Sequence, residues 1–400
     1  MKVIQINAVY GRGSTGTIVR DIEQLCWQSG MECYVACPDT NVRKAKRGYV
    51  IGNALDHKIH ALLCRIHGKQ AYFSHIPTHK LCRHIDYIKP DVVHLHNLHS
   101  NYIHLNYLLK HLAMKGIKTV VTLHDCWFFT GGCFHYTSVG CNGWENQCGK
   151  CPKKFIDTPA YLGERSTSIL QDRIKYLNSI EDLTIVGVSE WISREFSKSR
   201  IIAKNVITIH NGVDLSVFKP IELNFKRRLG IEDKFVILGP ASKWLSDVNR
   251  FVLTDFSRLL KPDEILLLYG CTQTTQDLPK NVFKYGYTID RVELAQLYTM
   301  ADVFANVTRE DSLSLINVEA QACGTPVVTF DQTGPKETVD NTHSFSVPVG
   351  DVKALYRAIE EIRQNHIDNK ETTLSLRQFV KENYELKSNY QKYIDLYKSI

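Results

Sequence analysis

Short apolar runs alternate with amphipathic stretches along the chain. In the stretches, apolar residues recur three and four positions apart, as helices require; Ile18, Ile22 and Leu25 are an example. The runs between them are short and bounded by turn residues, as buried strands are: KVIQINAV, CYVAC, PDVVHLHN, KTVVTLHDCWFF and LTIVGVS, then KFVILGPAS, EILLLYG, VFKYGY, DVFANV and VVTF. Strands that alternate with helices predict an α/β fold with a doubly wound parallel sheet in each half of the chain.

The stretch REDSLSLINVEAQACGTPVVTF, residues 309–330, predicts a loop, a helix and a buried strand in that order. Ser312 or Ser314 can cap the helix, and Gly324 and Pro326 end it. Such a helix directs its free N–H groups and the positive end of its dipole at whatever lies above the sheet. Its N-terminus is therefore a natural seat for phosphate or hydroxyl-rich ligands.

Two carboxylates frame this seat. Asp311 lies at its mouth, and Glu319 lies roughly 9–10 Å further along at about 1.5 Å per helical residue. That span suits two parts of one elongated ligand better than a single proton-transfer site. The alternative is that Asp311 is only an acid favoured by the helix dipole and that Glu319 is a solvated helix residue.

The first strand leads directly into the glycine-rich segment YGRGSTGT. Gly11, Gly13, Ser14 and Gly16 form a loop between a strand and a helix, which is a nucleotide- or phosphate-binding arrangement in principle. The glycine spacing is not that of dinucleotide-binding proteins, and no acid closes the second strand, so a plain tight turn is the alternative. We expect the helix to begin after Gly16 and to end near Gly30.

A cysteine-rich insert occupies residues 126–152. Four of its cysteines, separated by seven, six and two residues, predict a closed structural zinc site that fixes a segment too poor in apolar residues to fold alone. The spacing is not that of a zinc ribbon, so loosely packed reduced thiols and an adventitious disulfide are the alternatives, and Cys126 or His135 can substitute for one ligand. The predicted ligands are Cys133, Cys141, Cys148 and Cys151.

Composition narrows the class of protein. The chain has 400 residues, enough for two or three domains, and is 44% apolar and 23% charged, as soluble globular proteins are. It has no apolar run of about 18 residues and starts with a strand, so we expect a cytoplasmic protein whose twelve cysteines are not a disulfide framework. The net charge of +7 suits an anionic partner, but no nucleic-acid motif is present, and we expect no nucleic-acid partner.

The segment ALDHKIHALLCRIHG is a predicted amphipathic helix. It places Leu55, Ile59, Leu62, Leu63 and Ile66 on one face, with histidine and basic residues opposite. We expect the apolar face to pack on its own domain. The alternative is a peripheral contact with the inner face of an anionic membrane, as enzymes with lipid-linked acceptors need.

The motifs together resemble the retaining glycosyltransferases of family four, which have two Rossmann-like domains facing a cleft (the GT-B architecture). The resemblance runs from GSTG through PDVVHLHN, TLHDCW, VGVS, HNGVD and the Asp311–Glu319 stretch to TGPKE. It is closest to members that assemble capsule, colanic-acid-like or other bacterial surface polysaccharides, which share an HDCW…C…C…CxxCP insert. The resemblance implies a hexosyltransferase-type enzyme.

The resemblance also implies a division of labour between domains. Residues 1–205, with the cysteine-rich insert and a returning helix over 383–400, would form the acceptor-side domain. Residues 215–380 would bind the nucleotide-sugar donor. The segment HNGVDLSVFKP carries the pattern that marks the crossing between the two domains in the family.

Roles for individual residues follow from the same resemblance. Asp311 would contact the donor sugar, together with the N–H groups of Ser312, Leu313 and Ser314, and Glu319 would bind the nucleotide ribose. His124 would reach the donor sugar from the first domain, although a histidine at a strand end is often only a satisfied polar group. Both His124 and Asp311 are the predicted catalytic residues. The predicted phosphate contacts are Gly13, Ser14, Gly16, Lys243 and Arg250.

The chain departs from the family after the first strand of its second half. Where the family has an arginine and, five residues later, a lysine followed by glycine, this chain has Lys243, Val248 and Asn249. Losing one preorganised cation costs a few kcal/mol of transition-state stabilisation, unless Arg250 compensates. The alternatives to a transferase are a sugar-nucleotide-binding assembly partner with little activity and a sugar-nucleotide epimerase.

The resemblance thus predicts transfer of a sugar from a nucleotide-diphosphate donor to a glycan or lipid-linked acceptor, with retained anomeric configuration. No catalytic metal is expected, because cations and helix N–H groups can carry the diphosphate charge. The sugar, the base, the acceptor and the oligomeric state do not follow from the sequence.

Overall fold

The computed structural model describes residues 1–154, 156–157, 160–221, 225–272, 278–365 and 369–400. The chain divides into two compact units, one formed by Met1–His210 with Tyr390–Ile400 and the other by Asn211–Asn389. Each unit contains one parallel sheet with helices between its strands, so the predicted α/β class is confirmed.

The first unit is built on a seven-stranded parallel sheet in the order β3-β2-β1-β4-β5-β6-β7. Its central strands are apolar on both faces because helices cover both; every residue of β4 is buried. The strands are β1 (Lys2–Ile6), β2 (Glu32–Cys37), β3 (Gly48–Val50), β4 (Val92–Leu95), β5 (Lys118–Leu123), β6 (Leu183–Gly187) and β7 (Asn205–Thr208). The helices are α1 (Gly13–Gln28), α2 (Ala54–His67), α3 (His75–Ile88), α4 (Leu105–Met114), α5 (Gly143–Asn146), α6 (Ser166–Leu177) and α7 (Glu190–Ser197).

The second unit is built on a six-stranded parallel sheet in the order β10-β9-β8-β11-β12-β13. The strands are β8 (Phe235–Pro240), β9 (Glu264–Cys271), β10 (Val282–Gly286), β11 (Val303–Asn306), β12 (Val327–Phe330) and β13 (Phe345–Val347). The helices are α8 (Phe225–Leu229), α9 (Ala241–Trp244), α10 (Arg250–Leu259), α11 (Arg291–Met300), α12 (Leu315–Ala322), α13 (Val352–Asn365) and α14 (Asn369–Tyr384). A last helix, α15 (Leu386–Ser399), belongs to the first unit from Tyr390 onward.

Each sheet has one switch point, at which the order in which the chain adds strands to the sheet reverses. In the first sheet β1 lies between β2 and β4, and in the second β8 lies between β9 and β11. The loops after the two strands on either side of such a point diverge, and ligands of open α/β sheets bind in the crevice between them. The two switch points therefore mark where functional residues should lie in each unit.

Two details of the first unit differ from the sequence-based expectations. Helix α1 begins at Gly13 rather than after Gly16, because the buried Gly16 lets the first turn pack on the preceding segment: a β-carbon there would lie 3.0 Å from Val9 and 3.2 Å from the Gly11 nitrogen. An edge strand that was not predicted from the sequence, β3, lies beside β2.

The apolar face of α2 packs on its own domain only in part: Leu63 and Ile66 are half-buried, whereas the other three of its five residues are exposed. Leu55, Ile59 and Leu62 are 65%, 50% and 59% exposed, whereas the side chains that α2 buries are His60 and Cys64. No helix in the described ranges combines the length and the apolar character needed to cross a membrane.

Candidate active site

The loop after β11 and helix α12 form the centre of the site in the second unit. Asn306, the last residue of β11, is buried, and its Nδ2 donates to Oγ of Ser314 at 2.9 Å and to Oδ1 of Asn317 at 2.8 Å. Ser314 is the residue before α12, but its hydroxyl is used by Asn306 and does not cap the helix. The Asn306 amide thus fixes where the helix begins relative to the end of the strand.

Ser312 and Asp311 lie at the mouth of α12. The Ser312 hydroxyl is buried and has no hydrogen-bond partner among the described residues. Asp311 is half-buried; its N–H donates to the Thr333 hydroxyl at 3.3 Å, and its Oδ1 accepts from the N–H of Leu313 at 3.4 Å. Gly334 packs directly on this loop, since a β-carbon there would lie 1.9 Å from the Ser312 carbonyl oxygen.

Glu319 is not the solvated helix residue of the alternative interpretation. It is half-buried on α12, and desolvation raises the pKa of its carboxyl to about 7, although the Tyr298 hydroxyl and Arg291 oppose the shift. The Tyr298 hydroxyl donates to Oε2 of Glu319 at 3.2 Å. A carboxyl kept at the edge of burial with one donor supplied by the protein retains acceptor capacity for a ligand. Tyr298, buried on α11, carried no signal in the sequence beyond its place in an amphipathic helix.

The predicted phosphate-binding cations lie on the segment after β8. Lys243 is half-buried on α9, and this short helix is fixed by the neighbouring Trp244, whose Nε1 donates to the Ala305 carbonyl at 2.9 Å. Gly239 makes room for that ring, because a β-carbon there would lie 2.2 Å from Nε1. Arg250 is exposed at the first residue of α10, and Val248 is 63% exposed, so neither is held by the core.

In the first unit, His124 follows β5 and is held by a chain of hydrogen bonds. Nε2 of His124 lies 3.0 Å from Nδ1 of His96, and Nε2 of His96 lies 3.1 Å from Oε1 of Gln5. Gln5 and His96 are fully buried, and His124 is half-buried. These residues lie at or just beyond the ends of β1, β4 and β5, around the switch point of the first sheet.

The order of donors in this chain follows from Gln5. Its Nε2 donates to the Val19 carbonyl at 3.1 Å, so its Oε1 faces His96 and must accept from the His96 Nε2–H. Nδ1 of His96 then accepts from the Nε2–H of His124, which leaves Nδ1 of His124 as an acceptor. Burial lowers the pKa of His96 well below its usual value and that of His124 to about 4, so both rings are neutral near pH 7.

The residues after His124 are fixed by a buried arginine. Arg173 on α6 stacks over the Trp127 ring at 3.8 Å and donates through Nη1 to the carbonyls of Trp127 and Thr130. Asp125 accepts from the Trp127 N–H at 2.9 Å. His96, Gln5 and Arg173 were not singled out in the sequence; the only available signal was the alternation in VVHLHN, which places two histidines on one side of a strand.

The predicted glycine loop lies in the first turn of α1. Gly13 and Ser14 are exposed there, and Gly16 is buried, with its carbonyl accepting from the Gly11 N–H at 2.7 Å. The 16-residue helix has no acidic residue in its first turn. The exposed N–H groups of Gly13 and Ser14 therefore remain suited to an anion.

The predicted zinc site is not supported. Cys133, Cys141, Cys148 and Cys151 do line one cavity of about 20 Å³, but no group of three or more His, Cys, Asp or Glu side chains in the described residues is arranged to hold a metal ion. All twelve cysteines are free, and burial raises the pKa of Cys133 to about 12 and that of Cys148 to about 11. The four cysteines line this cavity together with Trp144 and form no disulfide, which corresponds to the reduced-thiol alternative.

Solved structures with the same fold are two-domain glycosyltransferases. Sucrose-phosphate synthase from Thermosynechococcus elongatus matches with a TM-score of 0.71 at 15% identity, covering 100% of this chain and 98% of that one. HepE from Anabaena in complex with UDP-glucose matches with a TM-score of 0.67 at 14% identity over the full length of both chains. These likenesses confirm the predicted GT-B fold.

Two family models match the sequence itself. The model described as Glycosyltransferase Family 4 matches residues 15–217, just over half of the chain, and the model described as Glycosyl transferases group 1 matches residues 232–365. The chain therefore belongs to glycosyltransferase family 4, as the resemblance predicted.

Curated relatives include enzymes of surface polysaccharides. The putative colanic acid biosynthesis glycosyl transferase WcaC of Escherichia coli K12 is 22% identical over 274 residues, 66% of either chain. The capsular polysaccharide biosynthesis glycosyltransferase CapM of Staphylococcus aureus is 25% identical over 196 residues, 44% of this chain and 51% of its own length. The matches thus span about half to two-thirds of these relatives.

Proposed function

We propose that the protein is a retaining glycosyltransferase that moves a sugar from a nucleotide-diphosphate donor to a glycan or lipid-linked acceptor in the biosynthesis of a surface polysaccharide. The observation that carries the proposal is the seat at α12, where the buried Ser312 hydroxyl, without a partner among the described residues, follows Asp311 on the loop that leads into the helix of the desolvated Glu319. The family and the named functions of WcaC and CapM support the same class of reaction.

The donor would occupy the second unit, Asn211–Asn389, as its donor-binding domain. Its ribose hydroxyls would donate to Glu319, and the hydroxyls of its sugar would bond to Asp311 and to the N–H groups of Ser312, Leu313 and Ser314. The free hydroxyl of Ser312 gives this pose a partner that the protein leaves unsatisfied. HepE, which shares the fold, is described in complex with UDP-glucose, UDP and glucose.

The diphosphate charge would be carried by Lys243, Arg250 and the N–H groups at the start of α1 that include Gly13, Ser14 and the turn closed at Gly16. Asp311 is assigned here as a contact of the donor sugar and not as a nucleophile, so retention would require that the leaving phosphate assist the acceptor on the same face of the sugar. Preorganised cations and N–H dipoles are the groups that stabilise such a leaving phosphate.

The first unit, Met1–His210 with Tyr390–Ile400, would be the acceptor-side domain. The neutral His124 offers Nδ1 as an acceptor for a hydroxyl of the bound sugar, with the ring held by His96. Fixing the ring in advance removes the cost of orienting it when substrate binds.

A lipid-linked acceptor would bring the protein to a membrane surface, and we propose the exposed face of α2 as the contact. Leu55, Ile59 and Leu62 are exposed together with Lys58 and Arg65, so the face combines apolar side chains with cations. This combination fits the interface of an anionic bilayer. In a sedimentation assay, more of the protein should pellet with phosphatidylglycerol vesicles than with phosphatidylcholine vesicles. The double variant Ile59→Ser with Leu62→Ser should abolish this difference.

The decisive experiment for the proposed function is a donor panel. The purified chain is heated with UDP-, GDP-, ADP- and dTDP-sugars, and the true donor is identified by a concentration-dependent rise in Tm, because a ligand that binds only the folded state stabilises it. That donor is then incubated with membrane extract, and glycosylated product and released nucleoside diphosphate are measured. Stabilisation without product would favour the assembly-partner alternative, and an epimerised sugar without transfer would favour the epimerase.

A further inference from the structure

Arg309 lies on the loop that follows β11, two residues before Asp311. Its Nε donates to Oδ1 of Asn249 at 2.7 Å. The side chain is half-buried, and no carboxylate among the described residues lies within 4 Å of its guanidinium nitrogens. The guanidinium is thus fixed at one nitrogen while its two Nη groups carry an unneutralised charge. One of them, Nη2, runs beside Gly350, where a β-carbon would lie 3.3 Å away.

Asn249 holds this arginine in place. The residue is buried, and its Nδ2 donates to the Lys243 carbonyl at 3.0 Å and to the Val307 carbonyl at 2.7 Å. Asn249 donates both Nδ2 protons to backbone carbonyls, one in the segment after β8 and one in the segment after β11. Its Oδ1 is the atom that accepts the hydrogen bond from Arg309. A glycine at position 249, which the family resemblance implies, would have no side chain with which to make these hydrogen bonds.

The pair formed by Asn249 and Arg309 lies at the switch point of the second sheet. Lys243 and Asn249 follow β8, and Val307 and Arg309 follow β11; β8 and β11 are adjacent parallel strands. Their diverging loops enclose the crevice in which ligands of such sheets bind. Val248, where the related enzymes have a lysine, is an exposed apolar residue and brings no charge to this crevice.

We propose that Arg309, held by Asn249, is a further cation that binds the donor diphosphate, in addition to Lys243 and Arg250, and that it replaces the lysine absent at position 248. The two departures from the family then form one change: the lysine is lost, and the glycine becomes an asparagine that positions an arginine from the next loop. A guanidinium with two free Nη groups matches two phosphate oxygens, which an ammonium group cannot do with the same geometry. The inference rests on the proposed function and assigns one residue within it.

Calorimetric titration with UDP, GDP and ADP tests the assignment. Arg309→Gln should weaken binding of the nucleoside diphosphate that the wild type prefers by about 10- to 100-fold, the range of a lost hydrogen bond to a charged group. The matched control is Arg258→Gln, which removes the same charge from an exposed ion pair with Asp255 on α10 and should change the affinity by less than twofold. The dependence of affinity on salt should become shallower in Arg309→Gln only.

Asn249 and Val248 provide two further variants. Asn249→Gly should weaken binding in the wild-type background but not in Arg309→Gln, because the asparagine acts through the arginine. Val248→Lys in the Arg309→Gln background should restore much of the lost affinity, and this gain cannot arise from misfolding.

The outcomes distinguish a failure of the proposed function from a failure of the role assigned to Arg309. A wild type that binds neither these three diphosphates nor dTDP overturns the proposed function and this assignment with it. A wild type that binds one of them while Arg309→Gln binds it as well as Arg258→Gln does overturns only the assignment and leaves Arg309 as a tie between loops. Additive effects of Asn249→Gly and Arg309→Gln would also count against it.

Discussion

The switch points of the two sheets have the same topology and opposite chemistry. Around the first, Gln5, His96 and His124 satisfy one another, and the two rings are neutral because burial lowers their pKa values. Around the second, the Ser312 hydroxyl has no partner and Arg309 has no counter-ion among the described residues. The edge of the first sheet at its switch point, the first edge, is organised by the protein alone, whereas the corresponding second edge leaves a hydroxyl without a partner and a cation without a counter-ion among the described residues.

The difference teaches what each edge can contribute. Neutral, mutually bonded rings attract no anion but hold an acceptor nitrogen in a fixed place. Unpaired cations and free donors attract a charged ligand, and the free-energy cost of their desolvation is offset only when such a ligand binds. Changes at the first edge should therefore alter turnover more than donor affinity, and changes at the second should alter affinity first.

The largest effect is expected from His124→Ala. Removing the oriented imidazole should lower kcat by about 100-fold or more, the usual range for a positioned catalytic side chain, while the Kd of the donor changes by less than about threefold. Steady-state kinetics with the donor identified by the panel, together with calorimetry, provide both values. His79→Ala, on an exposed position of α3, is the control. Equal losses of turnover and affinity would show that the two edges do not differ as argued.

Glu319→Ala should act in the opposite way. Loss of the carboxylate should weaken nucleotide binding by about 1–3 kcal/mol, the scale of a hydrogen bond to a charged group, with a smaller effect on kcat under saturating donor. Calorimetric titration of the nucleoside diphosphate measures this. Glu293→Ala removes a carboxylate on α11 that is hydrogen-bonded to Thr288 and Tyr285, and it should leave the affinity unchanged.

A smaller effect, about tenfold in kcat, is expected from His96→Phe, which deletes one hydrogen bond to His124. His96→Asn keeps an oxygen near the position of Nδ1 and should recover most of the activity. A residue that only filled space would show the reverse order, with phenylalanine the better substitute.

Much of the secondary structure around the two switch points was predictable from the sequence, because it depends on patterns within short segments of the chain. The strands, α12 and its end at Gly324 follow from apolar runs and breaking residues that act over a few positions. Asp311 and Glu319 were found from their spacing within one continuous stretch, since Asp311 lies on the loop before α12 and Glu319 on α12 itself. The start of α1 was misplaced by four residues because the packing of Gly16 on Val9 is a contact between segments that periodicity does not report.

The rest depended on contacts between distant positions. His96 meets Gln5 across 91 positions, and Arg309 meets Asn249 across 60. Cysteine spacing indicated a metal site, but spacing does not fix the directions of the side chains, and the four thiols surround a small cavity without the arrangement of metal ligands. The exposed apolar face of α2 could not be told from a packed face, because both have the same periodicity.

The smallest effect is the pH dependence of donor affinity. In the free protein, desolvation raises the pKa of Glu319 to about 7, and a ribose hydroxyl that donates to the carboxylate favours the ionised form. Ligand binding must therefore lower this pKa, so affinity is highest above pH 7 and falls by about three- to tenfold between pH 8 and pH 6. Calorimetry across this range measures the change.

Glu319→Gln isolates the contribution of the carboxyl group, since any pH dependence that remains in this variant belongs to the phosphate of the ligand itself. The unliganded protein should show the complementary effect on stability. Because the folded pKa lies above the usual value of 4.5, the carboxyl favours the folded state most below that pH, and this contribution is lost as the pH rises through 7. Between pH 5 and pH 8, the wild type should therefore lose more Tm than Glu319→Gln. Parallel melting curves for the two proteins would contradict the buried, ligand-ready carboxyl on which the second edge depends.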